Sequence, residues 1–364
     1  MTTMTNTFDD NEQRRTQAAI DHIRSLRDPK RLAHADKIAS LNNEYISFSR
    51  DGDIHGALQG LVDSTTAPPS GKPDKRRIVA ICGRSGSGKS TAIAKHISRI
   101  LEMQPYVDAD GVMIRPVLPM AAPSPCNPKA IAVEGIEALG HRAAKDVGRA
   151  GAWREFRRLL CVHKVMFVVI DEAQHLIETA SVTEATIIGD ALKELTQMAF
   201  PVRLILAGVA PLGSFLARKQ LHNRKTVVNF TPLTAGANGE TVREIVRKVV
   251  VDHAKLELGF DLTDDFVKRL LHACDGDTGT VIQLVRSAVE GAIYEDAATV
   301  SFERFVDAYA GFSGCVAKQN VFTAADWEEL DPKTAHYRDD DRAWEEEKLR
   351  SKGKNATKRG VRPQ

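Results

Sequence analysis

Cysteine is scarce and scattered in this 364-residue chain: Cys82, Cys126, Cys161, Cys274 and Cys315 are odd in number and form no CxxC pair. That argues against a disulfide framework or a zinc knuckle, and for a reducing compartment. Charge of one sign is also missing. Lysines and arginines total 50 against 48 aspartates and glutamates, a net charge of +2, so any nucleic-acid surface must be a local patch. No run approaches about 18 apolar residues, which leaves nothing expected to span a membrane. The polar start MTTMTNTFDDNEQRR lacks the apolar stretch of a signal peptide. Against these absences stand 43% apolar and 27% charged residues, enough to bury a sizeable core. A cytoplasmic globular protein of two folding units plus ends is expected.

Apolar residues recur near the helix period from Glu12 to about Leu61, so residues 1–63 read as an N-terminal helical segment. STTAPPSGKPDK, within 64–75, carries three prolines and a glycine and reads as a linker or surface loop. The texture then changes. Short apolar runs at Ile78–Cys82, Val165–Ile170 and Val202–Ala207 alternate with helical stretches. Val112–Leu118 is a weaker candidate, broken by Arg115-Pro116, and Thr226–Phe230 is the candidate last strand. Such runs are what a parallel sheet with helices on both faces requires, here an α/β core over 76–239. Beyond it the β signal stops. Helices at 240–258, 263–274, 279–294 and 301–310 predict a small α-helical domain over 240–312. Residues 313–364 read as a charged, flexible C-terminal tail.

Gly83-Arg84-Ser85-Gly86-Ser87-Gly88-Lys89-Ser90 fits G-x-x-x-x-G-K-[ST], with an apolar strand before it and a helix from Thr91 after it. The glycines let successive backbone N–H groups face a phosphate, and the helix N-terminus adds its partial positive charge. Lys89 reaches the β- and γ-phosphates, Ser90 offers a hydroxyl to Mg²⁺, and Gly83 to Thr91 are the expected ATP contacts. The run Val165–Ile170 then ends in Asp171-Glu172. Two carboxylates at the edge of a dry core are unfavourable unless they have work to do. Beside a phosphate loop Asp171 can hold the Mg²⁺ shell, and Glu172 can polarise a water for in-line attack. The pair argues for hydrolysis over transfer to a small substrate.

In GRSGSGKST, FVVIDEAQHL, VRLILAGVAPL and QLHNRKTVVNFTPL the chain resembles the AAA+ class of P-loop ATPases over about residues 40–310. Within that class it is most similar to the TniB/TnsC-type transposition regulators, which are related to the IstB-like helicase loaders. The resemblance implies an AAA+ core followed by a helical lid. It implies an arginine acting in trans before the fifth strand, which Arg224 matches and for which Arg218 competes. A polar residue usual at the end of the fourth strand is replaced by Val209. A lid arginine is absent from its usual place or replaced by Arg286. A site with weak sensors should hydrolyse ATP slowly until assembly completes it.

Arg142, Lys145 and Arg149 stand at i, i+3 and i+7, with Arg154, Arg157 and Arg158 close behind. On one helix they would form a stripe that tracks a phosphate backbone, or an ordinary solvated face. Sparse aromatics make a single-strand stacking platform a poor fit. Residues 326–347 hold ten acids against three bases, and 348–364 hold seven bases and no acid. Trp327 and Trp344 in the acidic part are candidate anchors for a partner. Three functions are therefore in view. The first is a regulator that oligomerises on double-stranded DNA as a ring or filament with ATP, recruits a transposase and target selector, and disassembles on hydrolysis. The others are a helicase-loader-like DNA-remodelling ATPase and a signalling or secretion ATPase that never touches DNA.

Overall fold

A computed structural model describes residues 7–66, 77–144, 147–178, 182–209, 211–216 and 221–332. The described residues pack as two compact units, one within Tyr45–Pro232 together with the first helix, the other Ala33–Glu44 with residues 233–332. Helices α1 (Thr7–Ser25), α2 (Pro29–Asn43) and α3 (Asp51–Thr65) precede strand β1 (Ile78–Gly83) and helix α4 (Lys89–Ile97). A small hairpin, β2 (Tyr106–Val107) and β3 (Met113–Ile114), leads to β4 (Val117–Ala121), α5 (Pro128–Ala138) and α6 (Arg149–Val162). Then come β5 (Phe167–Asp171), α7 (His175–Glu178), α8 (Val182–Thr196), β6 (Arg203–Gly208), α9 (Pro211–Leu216) and β7 (Lys225–Phe230).

Five strands form one parallel sheet in the order β4-β5-β6-β1-β7. The inner strands β1, β5 and β6 are buried and almost wholly apolar because both sheet faces are covered, while the edge strands β4 and β7 keep exposed positions. Ile78, Ala80 and Cys82 turn toward α5, α6 and α8, while Val79 and Ile81 turn toward α3 and α4. Helix α3 thus belongs to the core, with Ile54 and Leu58 fully buried. At the strands' N-terminal ends two arginines cap helix C-termini, where the backbone carbonyls concentrate negative potential. Arg203 donates to Ser64 Oγ at 2.5 Å and to the Ser64 carbonyl; Arg77 donates to the Thr196 carbonyl. Burial, aided by Arg77, pushes the Arg203 guanidinium down to about 10.

The run Val112–Leu118 is not one strand. Pro116 has no N–H to give, so pairing breaks there. Met113–Ile114 turns back on Tyr106–Val107, and Val117 starts the sheet's edge strand. The Pro116 carbonyl still accepts from Met166 N and Phe167 N, each at 2.9 Å, and an edge position tolerates Pro119 inside β4.

The second unit holds α10 (Ala235–Arg247), a π-helical turn (Lys248–His253), β8 (Glu257–Leu258), α11 (Asp264–Ala273), α12 (Thr278–Tyr294), β9 (Thr299–Val300) and α13 (Phe302–Ser313). Thr263 starts α11 by accepting from Phe266 N at 3.2 Å. Residues 313–332 correct the reading of a tail from 313 onward. Val321, Phe322 and Trp327 are buried; Phe322 lies against Phe266, Phe305 and Tyr309. Arg269 donates to the Val321 and Ala324 carbonyls at 2.7 and 3.0 Å. Trp327 packs on Arg269 and His272 within its own unit and is no anchor for a partner. The apolar side chains at 321, 322 and 324 precede the acidic run, which begins at Asp326, and hold this stretch on the unit. Trp344 and the basic end lie outside the described residues.

Candidate nucleotide site

The phosphate loop leaves the C-terminal end of β1. Gly86 and Gly88 take positive φ, 78° and 87°, a backbone available to glycine at little steric cost. Gly88 caps α4, so Lys89, Ser90 and Thr91 are its first residues. Ser85, Gly86, Ser90 and Thr91 are exposed and Arg84 half-buried, whereas Ser87 and Lys89 are buried. The Lys89 ammonium curls into the loop and donates to the Gly83 and Arg84 carbonyls at 3.0 and 2.8 Å.

Strand β5 ends beside this loop. Ser90 Oγ donates to Asp171 Oδ2 at 2.5 Å, and Glu172 N donates to Asp171 Oδ1 at 2.8 Å. A hydroxyl and a carboxylate in contact are hard oxygen donors of the kind Mg²⁺ takes beside substrate phosphates. The residues therefore fit the ion. Among the described residues no cluster of three or more His, Cys, Asp or Glu could hold a metal by itself. A cavity of about 600 Å³ opens next to Ser90 and Asp171, walled by apolar side chains such as Ile93, Ile97, Met120 and Val169.

Glu172 sits one residue beyond the strand, exposed, with φ 50°. A non-glycine residue in the left-handed region costs on the order of 1–3 kcal/mol and persists only where surroundings impose it. Here Ala173 N donates to the Ala207 carbonyl at 2.7 Å and His175 N to the Glu172 carbonyl at 2.9 Å. Sequence reading missed two neighbours. Gln174, nine-tenths buried, donates to Glu172 Oε2 and accepts from Val209 N at 3.3 Å. Arg50 donates to the Ser87 carbonyl at 3.2 Å, its guanidinium 3.9 Å from the Phe230 ring centroid. The DEAQ run held a signal for Gln174; Arg50 lies far from any motif.

Arg224 is half-buried and immediately precedes β7. Lys225 pairs with Ile78 and Phe230 with Gly83, so Arg224 lies at the far end of the sheet. Six residue steps from Arg224 to Phe230, which pairs with Gly83, put it about 20 Å from the phosphate loop along the strand, out of reach of its own site. Arg218 lies outside the described residues. Arg286 donates to the Glu44 carbonyl at 2.6 Å, tying α12 to the chain after α2.

The basic stripe needs correction. Arg142 is exposed but not helical, because α5 ends in a Schellman turn: Gly140 N donates to the Glu137 carbonyl and His141 N to the Ile136 carbonyl, with Gly140 at φ 79°. Lys145 lies outside the described residues, and Arg149 is the exposed first residue of α6. Arg142 and Arg149 do not share a helix face. Arg157 and Arg158 are paired with Glu194 and Glu155, which neutralises part of the run.

The family model of the AAA domain matches residues 72–216. No curated protein matches the sequence significantly. Among solved structures, the Orc1 protein of Aeropyrum pernix in complex with DNA is 18% identical with a TM-score of 0.50, covering 73% of this chain and 65% of its own. Cdc6p from Pyrobaculum aerophilum is 17% identical with a TM-score of 0.53, covering 74% and 69%. This chain thus spans about two thirds of these neighbours, a likeness of fold. No helix among the described residues is long and apolar enough to cross a membrane. The parallel sheet, the phosphate loop and the family match together identify residues 72–216 as an AAA-type P-loop ATPase domain.

Proposed function

We propose that this chain is an ATPase that assembles on duplex DNA with ATP, regulates transposition by recruiting a transposase and target selector, and disassembles on hydrolysis. One observation carries the ATPase reading: Lys89, the Ser90–Asp171 pair and Glu172 converge where β1 and β5 end. The loop amides and Lys89 bind the phosphates; Ser90 and Asp171 would hold Mg²⁺, which would supply charge neutralisation of the phosphate oxygens. Glu172 orients water and takes its proton. Arg224 of a second copy supplies the charge that this chain's own geometry withholds, which makes turnover slow until copies meet.

For DNA, support comes from the fold shared with a structure solved on DNA, and for transposition from the resemblance of QLHNRKTVVNFTPL. A second reading, a DNA-remodelling adaptor of the helicase-loader kind, follows from the relation of the resembled regulators to the IstB-like loaders. Retention on duplex DNA with a non-hydrolysable ATP analogue tests the shared part. Wild type should be retained and Lys89→Ala should not, because it loses the loop's fixed cation. Failure of wild type to bind would leave an ATPase that never touches DNA. Stimulation of a transposase, against binding to a replicative helicase, separates the two DNA readings.

A further inference from the structure

Gln174 carries more geometry than a surface-turn glutamine needs. Its side chain is buried, and its carboxamide spans two groups from different elements, the Glu172 carboxylate and the backbone N–H of Val209 just past β6. The polarity of that amide is not free. A backbone N–H can only donate, so it takes the amide oxygen, and the NH₂ must face Glu172. The amide therefore presents a donor to the carboxylate, and a carboxylate is acceptor-only. Gly208 makes room for it: a Cβ there would lie 2.9 Å from Gln174 Oε1 and 3.0 Å from Gln174 N. Ala173 N, bonded to the Ala207 carbonyl at 2.7 Å, fixes the same turn from the backbone side. One oxygen of Glu172 is thus held, on a residue whose φ of 50° already departs from the common regions.

We propose that Gln174 is the positioning residue for Glu172: it anchors the carboxylate to the end of β6 and so sets where the water-activating oxygen stands. This rests on the ATPase reading above. Catalysis needs the base within a fraction of an ångström of its productive place, and neighbours that hold such groups commonly matter tenfold to a hundredfold in rate.

The test uses the full chain with two variants of matched shape. Gln174→Met fills the same space with neither donor nor acceptor; Gln174→Glu keeps the outline and sets a second carboxylate against Glu172. Both should lower kcat for ATP by about tenfold or more, while affinity for a fluorescent ATP analogue stays within about twofold, since Lys89 and the loop amides are untouched. The Val209 amide should exchange faster with solvent in Gln174→Met, having lost its acceptor. In a Glu172→Gln background, Gln174→Met should change the residual turnover by less than about twofold, because a residue acting through Glu172 has nothing left to position. Wild-type turnover in Gln174→Met would overturn the inference alone. So would a kcat loss undiminished in the Glu172→Gln background. Absence of ATP turnover in the wild-type protein under all conditions would overturn the ATPase reading, and this inference with it.

Discussion

Gly83 ends β1 without a side chain because no room exists for one. A Cβ there would lie 2.6 Å from Phe230 Cβ and 2.9 Å from Ser87 Oγ, and neither neighbour is a flexible tip. Phe230 is pinned in β7 and stacked by Arg50, while Ser87 is buried in the loop itself. Gly83→Ala should therefore cost about 1–3 kcal/mol of stability, the usual range for forcing atoms into a packed site. It should also push the loop out of its phosphate-binding shape. Thermal unfolding and binding of a labelled ATP analogue would check both; an unchanged Tm with unchanged affinity would mean the loop gives way freely. At this scale much was legible beforehand. Loop, lysine and acidic pair form contiguous strings, and the spacing of such strings encodes their geometry. Gln174 and Arg50 were not legible as partners, since Gln174 must fold back on Glu172 and Arg50 must arrive from before α3.

Among the elements, α3 and α4 meet over a buried polar contact. His96 on α4 is 2% exposed, its Nε2 3.7 Å from Asp51 Oδ1 on α3, with His55 and Arg99 nearby and Tyr45 donating to Asp51 at 3.0 Å. Burial holds the imidazole below its ordinary value, with Asp51 opposing and Arg99 and His55 adding to the shift. The unfolded chain then takes a proton below about pH 6.5 that the folded chain refuses. Stability is full above that pH and falls as pH drops toward the folded value. Tm should fall between about pH 7.5 and about pH 5.5, and His96→Leu should lose part of the slope; an equal slope in both proteins would place the titration elsewhere. His163, lowered by burial beside His141, adds slope of the same sign.

The parallel sheet was readable because a strand buried on both faces is apolar throughout. The hairpin at 106–114 was not, since two-residue strands carry no periodicity. Nor was the break in the basic stripe, where i, i+3, i+7 spacing assumed a helix that Gly140 ends and Gly148 restarts. The packing of 321–327 was hidden by the acidic run that begins at Asp326: a few buried apolar side chains decide a segment's fate.

At the scale of the whole molecule, Arg224 and the phosphate loop stand at opposite ends of one parallel sheet. Under the proposed function a single copy would be incomplete for hydrolysis, and head-to-tail association would complete it, as heterologous contacts build rings or filaments. Losing a transition-state arginine costs roughly 10³–10⁵ in rate in related phosphoryl transfer, which is large enough for assembly to act as the proposed switch. The near-zero net charge of +2 means that the proposed DNA contact would fall to local patches. Mixing two inactive proteins, Lys89→Ala and Arg224→Ala, on duplex DNA tests this most directly. Some interfaces would pair the intact loop of the Arg224→Ala copy with the intact arginine of the Lys89→Ala copy. ATP hydrolysis should reappear in the mixture though neither protein shows it alone. Co-assembly of the two without hydrolysis would contradict an active site shared between copies through Arg224.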